Sequence, residues 1–348
     1  MILPDFGPAA QERLIGARAL IVGCGALGCA VADFLARAGV GHLTIVDRDV
    51  VELTNLQRQV LFEERDAREN AAKADAAARR LARVNSTVRV TPIVADFTHR
   101  NAETLLGEGA PGVGVLIDGT DNLGTRYLLN DLGVKHGIPF VYAGAVATRA
   151  MSATFRPSQG TACLRCLFPD LPADPVLLTC DTAGILGPVA SIAAAFEAVE
   201  TIKLLIGRPD LASTDLLELD PWDNRERRIS IAGARNPDCP CCAQRRFEFL
   251  AGAFAQDVSV ICTRNNGGAV QISPPAPRDI DLAALASRLA SQGEFSVTDQ
   301  HIRGVLTHET GDGAFPIELT VFRDGRTIVR GTTEPSAARA IHARYLGA

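Results

Sequence analysis

The sequence predicts an α/β protein: a doubly wound, Rossmann-like, mainly parallel sheet followed by a small C-terminal α+β domain. Three observations predict it. Residues 19–38 read as strand, glycine turn and helix in succession. Strand and helix patterns then alternate through about the first 135 residues, as a parallel sheet with crossover helices requires. Near residue 250 the sequence changes character.

Taken in order, Ala19-Leu20-Ile21-Val22 is a short apolar run suited to a buried strand. Gly23-Cys24-Gly25-Ala26-Leu27-Gly28 forms the turn, and apolar residues recur at helical spacing over 26–38 until Gly39. Gly23 permits the tight turn, Gly25 lets a phosphate approach the backbone, and Gly28 lets helix and strand pack closely. The helix N-terminus offers unpaired N–H groups and a positive dipole end to an anion. A second strand, Leu43-Thr44-Ile45-Val46, ends at Asp47, where a ribose-binding carboxylate is expected, with Asp49 beside it. An alanine-rich helix bearing Lys73, a strand through 88–94 and a strand over 113–117 follow. Beyond Pro139 come strands at 140–142 and 152–155, then a loop dense in proline and cysteine over 157–182. The mostly apolar stretch 183–207 contains Glu197, Glu200 and Lys203, which favours a buried helix over a membrane span. Strands near 215–231 close this part.

From about residue 250, strands are expected at 258–262 and 269–272 and a helix over 280–292. A hairpin is expected from 317–322 to 327–330 around Asp324-Gly325, and a last helix from about Ser336 to Tyr345 behind Pro335. The domain boundary is placed at 248, leaving 249–348 as a module large enough to fold alone.

A hydrophobic content of 47% supports a sizeable core. The net charge of −5 gives no electrostatic case for nucleic acid or an anionic membrane as main partner. Met1-Ile2-Leu3-Pro4-Asp5 lacks the basic and apolar segments of a secretory leader, so a cytoplasmic protein is expected. In that setting the nine cysteines argue against a disulfide framework. Cys163-Leu164-Arg165-Cys166 and Cys239-Pro240-Cys241-Cys242 are two C-x-x-C hooks, and four thiolates are the usual set for structural zinc. Cys163, Cys166, Cys239 and Cys242 are the expected ligands, with Cys241 a competitor for Cys242. Ordinary buried thiols would account for single cysteines but not for paired hooks; Cys24 and Cys29 are expected merely to pack beside the glycine motif.

The glycine motif alone would favour a nicotinamide-dependent oxidoreductase. Asn55-Leu56-Gln57-Arg58-Gln59, Lys73 and Asp118-Gly119-Thr120-Asp121-Asn122 argue otherwise. Arg58 and Lys73 can neutralise phosphate oxygens as charge develops, and Asp121 can hold a magnesium ion that keeps most of its waters. Asn55 can bond a phosphate or ribose oxygen, whereas Asn in such a turn often only closes the loop. Arg126 reads as a helix-surface cation and is left out of the site. Cys180 precedes the long apolar helix, where a thiol can be activated as a nucleophile, although neighbouring Asp181 opposes thiolate formation.

These stretches, together with Leu3-Pro4-Asp5-Phe6-Gly7 and Ala183-Gly184-Ile185-Leu186-Gly187-Pro188, resemble the bacterial sulfur-carrier adenylyltransferases of the ubiquitin-activating superfamily, the group containing the MoeB and ThiF proteins. The resemblance covers roughly residues 1–245. It implies that ATP binds on the glycine turn with magnesium on Asp121. The C-terminal carboxylate of a ubiquitin-like sulfur carrier ending in Gly-Gly then attacks the α-phosphate. It further implies catalysis helped by Arg58 and Lys73, a zinc knot, a persulfide sulfur donor, a sulfur-relay role for Cys180 and a homodimer. Two departures stand out. An arginine-containing segment that precedes the Leu-Pro-x-Phe-Gly stretch in the family is absent before Leu3. The C-terminal module also lacks the small-residue anion cradle of a rhodanese domain at Cys262-Thr263-Arg264-Asn265, and looks more like a ubiquitin-like or carrier-binding accessory. A nucleotide-binding carrier scaffold without turnover is the non-catalytic alternative, and the tRNA-modifying dehydratase branch of the superfamily fits the cysteine hooks less well.

Overall fold

The structure is a computed structural model that describes residues 6–107, 112–169, 183–261, 268–276 and 278–347. The chain divides into two compact units, Met1–Ala255 and Gln256–Ala348. The first unit extends past the boundary placed at 248 because Phe249 and Leu250 pack into its core.

The first unit opens with α1 (Pro8–Gly16), β1 (Arg18–Val22), α2 (Ala26–Ala38) and β2 (His42–Asp47). After α3 (Glu64–Arg68) come α4 (Lys73–Val84), β3 (Arg89–Val94), β4 (Val115–Asp118) and α5 (Leu123–His136). The remainder is β5 (Phe140–Val146), β6 (Arg149–Phe155), α6 (Leu164–Leu167), α7 (Gly187–Leu205), β7 (Asp215–Asp220) and β8 (Arg225–Ser230). These strands form one sheet in the order β3-β2-β1-β4-β5-β6-β7-β8. β3 to β5 pair in parallel and β6 to β8 antiparallel. The chain moves from β1 outward to β2 and β3, then returns to place β4 on the other side of β1. Ligands bind at such a reversal, beyond the carboxyl ends of the strands.

Strand periodicity explains the layers. Ala19 and Ile21 of β1 face one core shared with α2 and α7, while Leu20 and Val22 face a second core shared with α5. Both faces are covered, so the strand reads as an unbroken apolar run. α7 is the long apolar helix of the sequence reading; it packs on α2, β5 and β6 and is no membrane span. No helix among the described residues is long and apolar enough to cross a membrane.

The second unit contains β9 (Val258–Ile261), β10 (Ala269–Ile272), α8 (Leu282–Leu289), β11 (Gly293–Val297), β12 (His301–Thr310), β13 (Pro316–Phe322), β14 (Thr327–Arg330) and α9 (Pro335–Leu346). Its six strands form an antiparallel sheet ordered β11-β12-β13-β14-β10-β9. Leu282, Leu285 and Leu289 of α8 and Ala338 and Ile341 of α9 share a core with Ile302, Leu319 and Val329. The hairpin around Asp324-Gly325 forms as expected, with Gly325 left-handed at φ +87. The β11–β12 hairpin is not evident in the sequence.

Candidate active site and cysteine cluster

The glycine turn joins β1 to α2 at the reversal point. Gly23 is left-handed (φ +90), and its N–H donates to Val46 O at 2.8 Å, while Gly119 N–H donates to Val22 O at 2.8 Å. The turn is thereby held between the ends of β2 and β4. A Cβ on Gly28 would lie 1.9 Å from Gly23 O, so only glycine allows α2 to approach this closely. Gly25 differs: a Cβ there would meet nothing nearer than 3.7 Å. Protein packing therefore does not require glycine at position 25, and the space above it is open to a ligand. No side chain caps the first turn of α2, which leaves its N–H groups to an anion.

Asp47 is buried, and its two oxygens accept from Cys24 N–H at 2.6 Å and Asp49 N–H at 2.7 Å. It shapes the turn at the end of β2. Burial raises its carboxyl above the ordinary value despite the opposing pull of Lys73. Lys73 begins α4, nearly buried, with Nζ 3.0 Å from Asp49 Oδ2. Burial pulls its pKa down, but Asp49 and Asp47 outweigh that and hold it above the ordinary lysine value. Asp121 is exposed at the mouth and adds to the field that keeps Lys73 charged.

Asn55 sits in a single 3-10 turn and accepts from Glu52 N–H at 3.1 Å, so its amide closes the loop that presents Arg58. Arg58 donates to Thr54 O at 2.9 Å. The N-terminus of α7 comes in beside it, since a Cβ on Gly187 would lie 2.9 Å from Gln57 O. Cys24 and Cys29 are fully buried against each other, as expected for packing residues. Cys180 lies outside the described residues.

Two residues that the sequence did not place in the site lie beside it. Arg126, taken there for a surface cation, is turned inward. Its Nε donates to fully buried Asp118 at 2.8 Å and its Nη2 to Thr120 O at 2.8 Å and Ala143 O at 3.2 Å. Its i,i+8 spacing from Asp118 carries no helical signal. Arg48, between Asp47 and Asp49, reaches Asp96 beyond β3.

Below Asp118, Glu197 of α7 is fully buried, and among the described residues no side-chain donor hydrogen-bonds its carboxyl. Burial pushes its carboxyl well above the ordinary value, and the Asp118 carboxylate adds to the rise. A raised folded-state pKa in an acid means the native state holds its proton longer than the unfolded chain. Stability is therefore lost as pH rises from the ordinary carboxyl value toward the raised one. Glu197→Gln is expected to be no less stable than wild type at pH 5 and to gain on it by pH 8. Melting temperatures at both pH values check this; a variant weaker at pH 8 than at pH 5, relative to wild type, would show an ionised Glu197 instead.

The two cysteine hooks meet. Cys163, Cys166, Cys239 and Cys242 place their Sγ atoms within 4.8 Å of one another. Individual separations are 3.9 Å for 163–166, 3.7 Å for 163–239 and 3.4 Å for 166–242. Tetrahedral zinc with Zn–S bonds of about 2.3 Å needs sulfurs about 3.8 Å apart, so the donor set fits. Cys241 does not compete: it is buried and accepts from Asn130 Nδ2 at 3.2 Å. Asn130 also accepts from Leu164 N–H at 2.8 Å, tying both hooks to α5. Contact with Cys163 and burial push the Cys166 thiol up to about 12. Such a set ionises fully only around a strong cation.

A family model described as the ThiF family matches residues 1–241. The chain belongs to the ThiF family. Within it, the chain is 37% identical over 349 residues to the sulfur carrier protein ThiS adenylyltransferase of Bacillus subtilis, covering 99% of this chain and 97% of that protein. It is 35% identical to the SAMP-activating enzyme E1 of Haloferax volcanii, covering 70% and 87% respectively. Among solved structures, E. coli MccB with ATP shares the fold at a TM-score of 0.56 and 24% identity, over 67% of this chain and 69% of that one.

Proposed function

We propose that this ThiF-family chain is an adenylyltransferase that uses ATP to activate the C-terminal glycine of a small ubiquitin-like sulfur carrier ending in Gly-Gly. The observation that carries the reading is that the Lys73–Asp49 pair and exposed Asp121 share one electrostatic field beside the glycine turn, whose helix start takes no side-chain cap among the described residues. The triphosphate rests on the first turn of α2 over Gly25. A carboxylate oxygen of the carrier attacks the α-phosphorus, the bond to the β-phosphate breaks, and pyrophosphate leaves. Arg58 and Lys73 stabilise the charge that develops on the phosphoryl oxygens, so catalysis is positioning and electrostatics. Lys73 suits this because its acidic neighbours keep it protonated. Asp121 is the residue that would hold magnesium, which when bound neutralises phosphate charge.

The acyl-adenylate is then substrate for a persulfide sulfur donor, with Cys180 as the relay thiol. The cysteine cluster holds structural zinc, which suits a reducing compartment such as the cytoplasm. The working assembly is a homodimer, and the second unit is an accessory domain for the carrier. An oxidoreductase reading would leave Arg58, Lys73 and Asp121 without a task.

ATP–pyrophosphate exchange with magnesium, across a panel of small proteins ending in Gly-Gly, tests the proposal. One carrier is expected to stimulate exchange, and Asp121→Ala to reduce it by about 100-fold or more. ATP binding with no exchange from any carrier would favour a scaffold without turnover.

A further inference from the structure

The phosphate chemistry uses Arg58 and Lys73 and leaves Arg48 without a task. Its place in the fold is informative. Phosphates lie on α2 beyond β1, and the carboxylate ending β2 marks the ribose. Continuing outward along the same edge, a base would lie over the ends of β2 and β3. Arg48 spans that gap: its Nη1 is 3.4 Å from both oxygens of Asp96, just past β3, and its Nε is 3.8 Å from Asp49 Oδ1. The side chain is 28% exposed, and Asp96 holds its guanidinium at the end of β3. A guanidinium held this way is planar, permanently charged and weakly hydrated, and it stacks well on aromatic rings.

Resting on the nucleotide-site reading above, we infer that Arg48 is a further nucleotide-binding residue, a platform for the purine base of ATP oriented by Asp96. Arg48 binds the base end and takes no part in stabilising the phosphoryl charge. Asp96 is a positioning residue that acts through Arg48.

The test uses the full chain with magnesium and titrates two probes, ATP and inorganic tripolyphosphate, which lacks sugar and base. Arg48→Met is expected to weaken ATP about tenfold and to leave tripolyphosphate within about twofold. Asp96→Asn is expected to weaken ATP in the same direction by less. Arg48→Lys keeps a cation for Asp96 and loses the planar face; its expected result is several-fold weaker ATP with unchanged tripolyphosphate, and it serves if the Met variant misfolds. Equal weakening of both probes would make Arg48 a general electrostatic contributor and overturn the inference. Unchanged ATP affinity in both Arg48 variants, or a wild-type chain that binds no ATP, would overturn it as well. A wild type that binds ATP but shows no carrier-stimulated exchange would sink the adenylylation reading alone, because the comparison of probes reads binding without turnover.

Discussion

Cys239→Ser is expected to strip the cysteine cluster of zinc and to lower stability by about 4 kcal/mol or more. The magnitude follows from linkage: a ligand at a thousandfold excess over its Kd stabilises the native state by about 4 kcal/mol, and structural zinc binds more tightly than that in small metal domains. Cys239 is fully buried and touches Cys163 at 3.7 Å, so serine there replaces a soft ligand in a closed site. The damage spreads because the cluster joins distant segments: Cys163 directly precedes α6, and Asn130 of α5 reaches both hooks. Cys241→Ser is the informative control. Its sulfur lies outside the ligand set, and this variant is expected to retain a full equivalent of zinc. Elemental analysis with melting curves, before and after chelator, decides the matter. Protein isolated without zinc, or a melting temperature indifferent to chelator, would remove metal from the account.

Much of this molecule is local in origin and therefore legible in the sequence. The glycine turn is one, since Gly28 answers to Gly23 a few residues away and Gly23 to the loop after the strand beside it. The cysteine hooks are another, because two ligands at i,i+3 form a hook on their own. What the sequence conceals depends on contacts made across the fold. Cys241 and Cys242 are equivalent on paper; Asn130, 111 residues away, distinguishes them. Arg126 looks like a surface cation because α5 has charges elsewhere on its exposed side. Its burial comes from β5, where Ala143 O accepts from it across 17 residues of chain. Arg48 is masked by its position between two aspartates, and its partner Asp96 is brought near only by the pairing of β2 with β3. In the second unit, β12 escapes notice because Gly304 leaves no side chain on the core face between Ile302 and Leu306, while apolar Val305 stands exposed on the other face. Gly304 is needed there: a Cβ would lie 2.1 Å from Glu294 O on the paired strand. These misses share a cause, namely polar groups whose burial is set by tertiary pairing rather than by periodicity.

Arg126→Met is the second substitution with a large expected effect, and its pH dependence identifies the mechanism. Asp118 is completely buried at the end of β4, and Arg126 is its cation at 2.8 Å. Thr120 supplies two further hydrogen bonds to the same carboxylate, at 2.9 Å and 2.8 Å. Removing one partner of a buried pair costs about 3–5 kcal/mol, because the remaining charge stays desolvated. Burial already raises the Asp118 carboxyl above its ordinary value, with Arg126 pulling the other way; without Arg126 it rises further. The native state then holds a proton that the unfolded chain releases, so stability falls as pH climbs from the ordinary carboxyl value. The deficit of Arg126→Met is accordingly expected to be small near pH 4 and to grow toward neutrality. Adding Asp118→Asn removes the charge and should recover part of the loss at pH 7. Carrier-stimulated exchange is expected to fall in the single variant even where it is folded, because Arg126 also holds Thr120 O and with it the loop that presents Asp121. Denaturant melts at several pH values, run beside exchange assays, test both halves. A deficit that stays constant with pH would trace the loss to packing over Tyr142, whose ring lies 5.1 Å from the guanidinium, and not to the orphaned carboxylate.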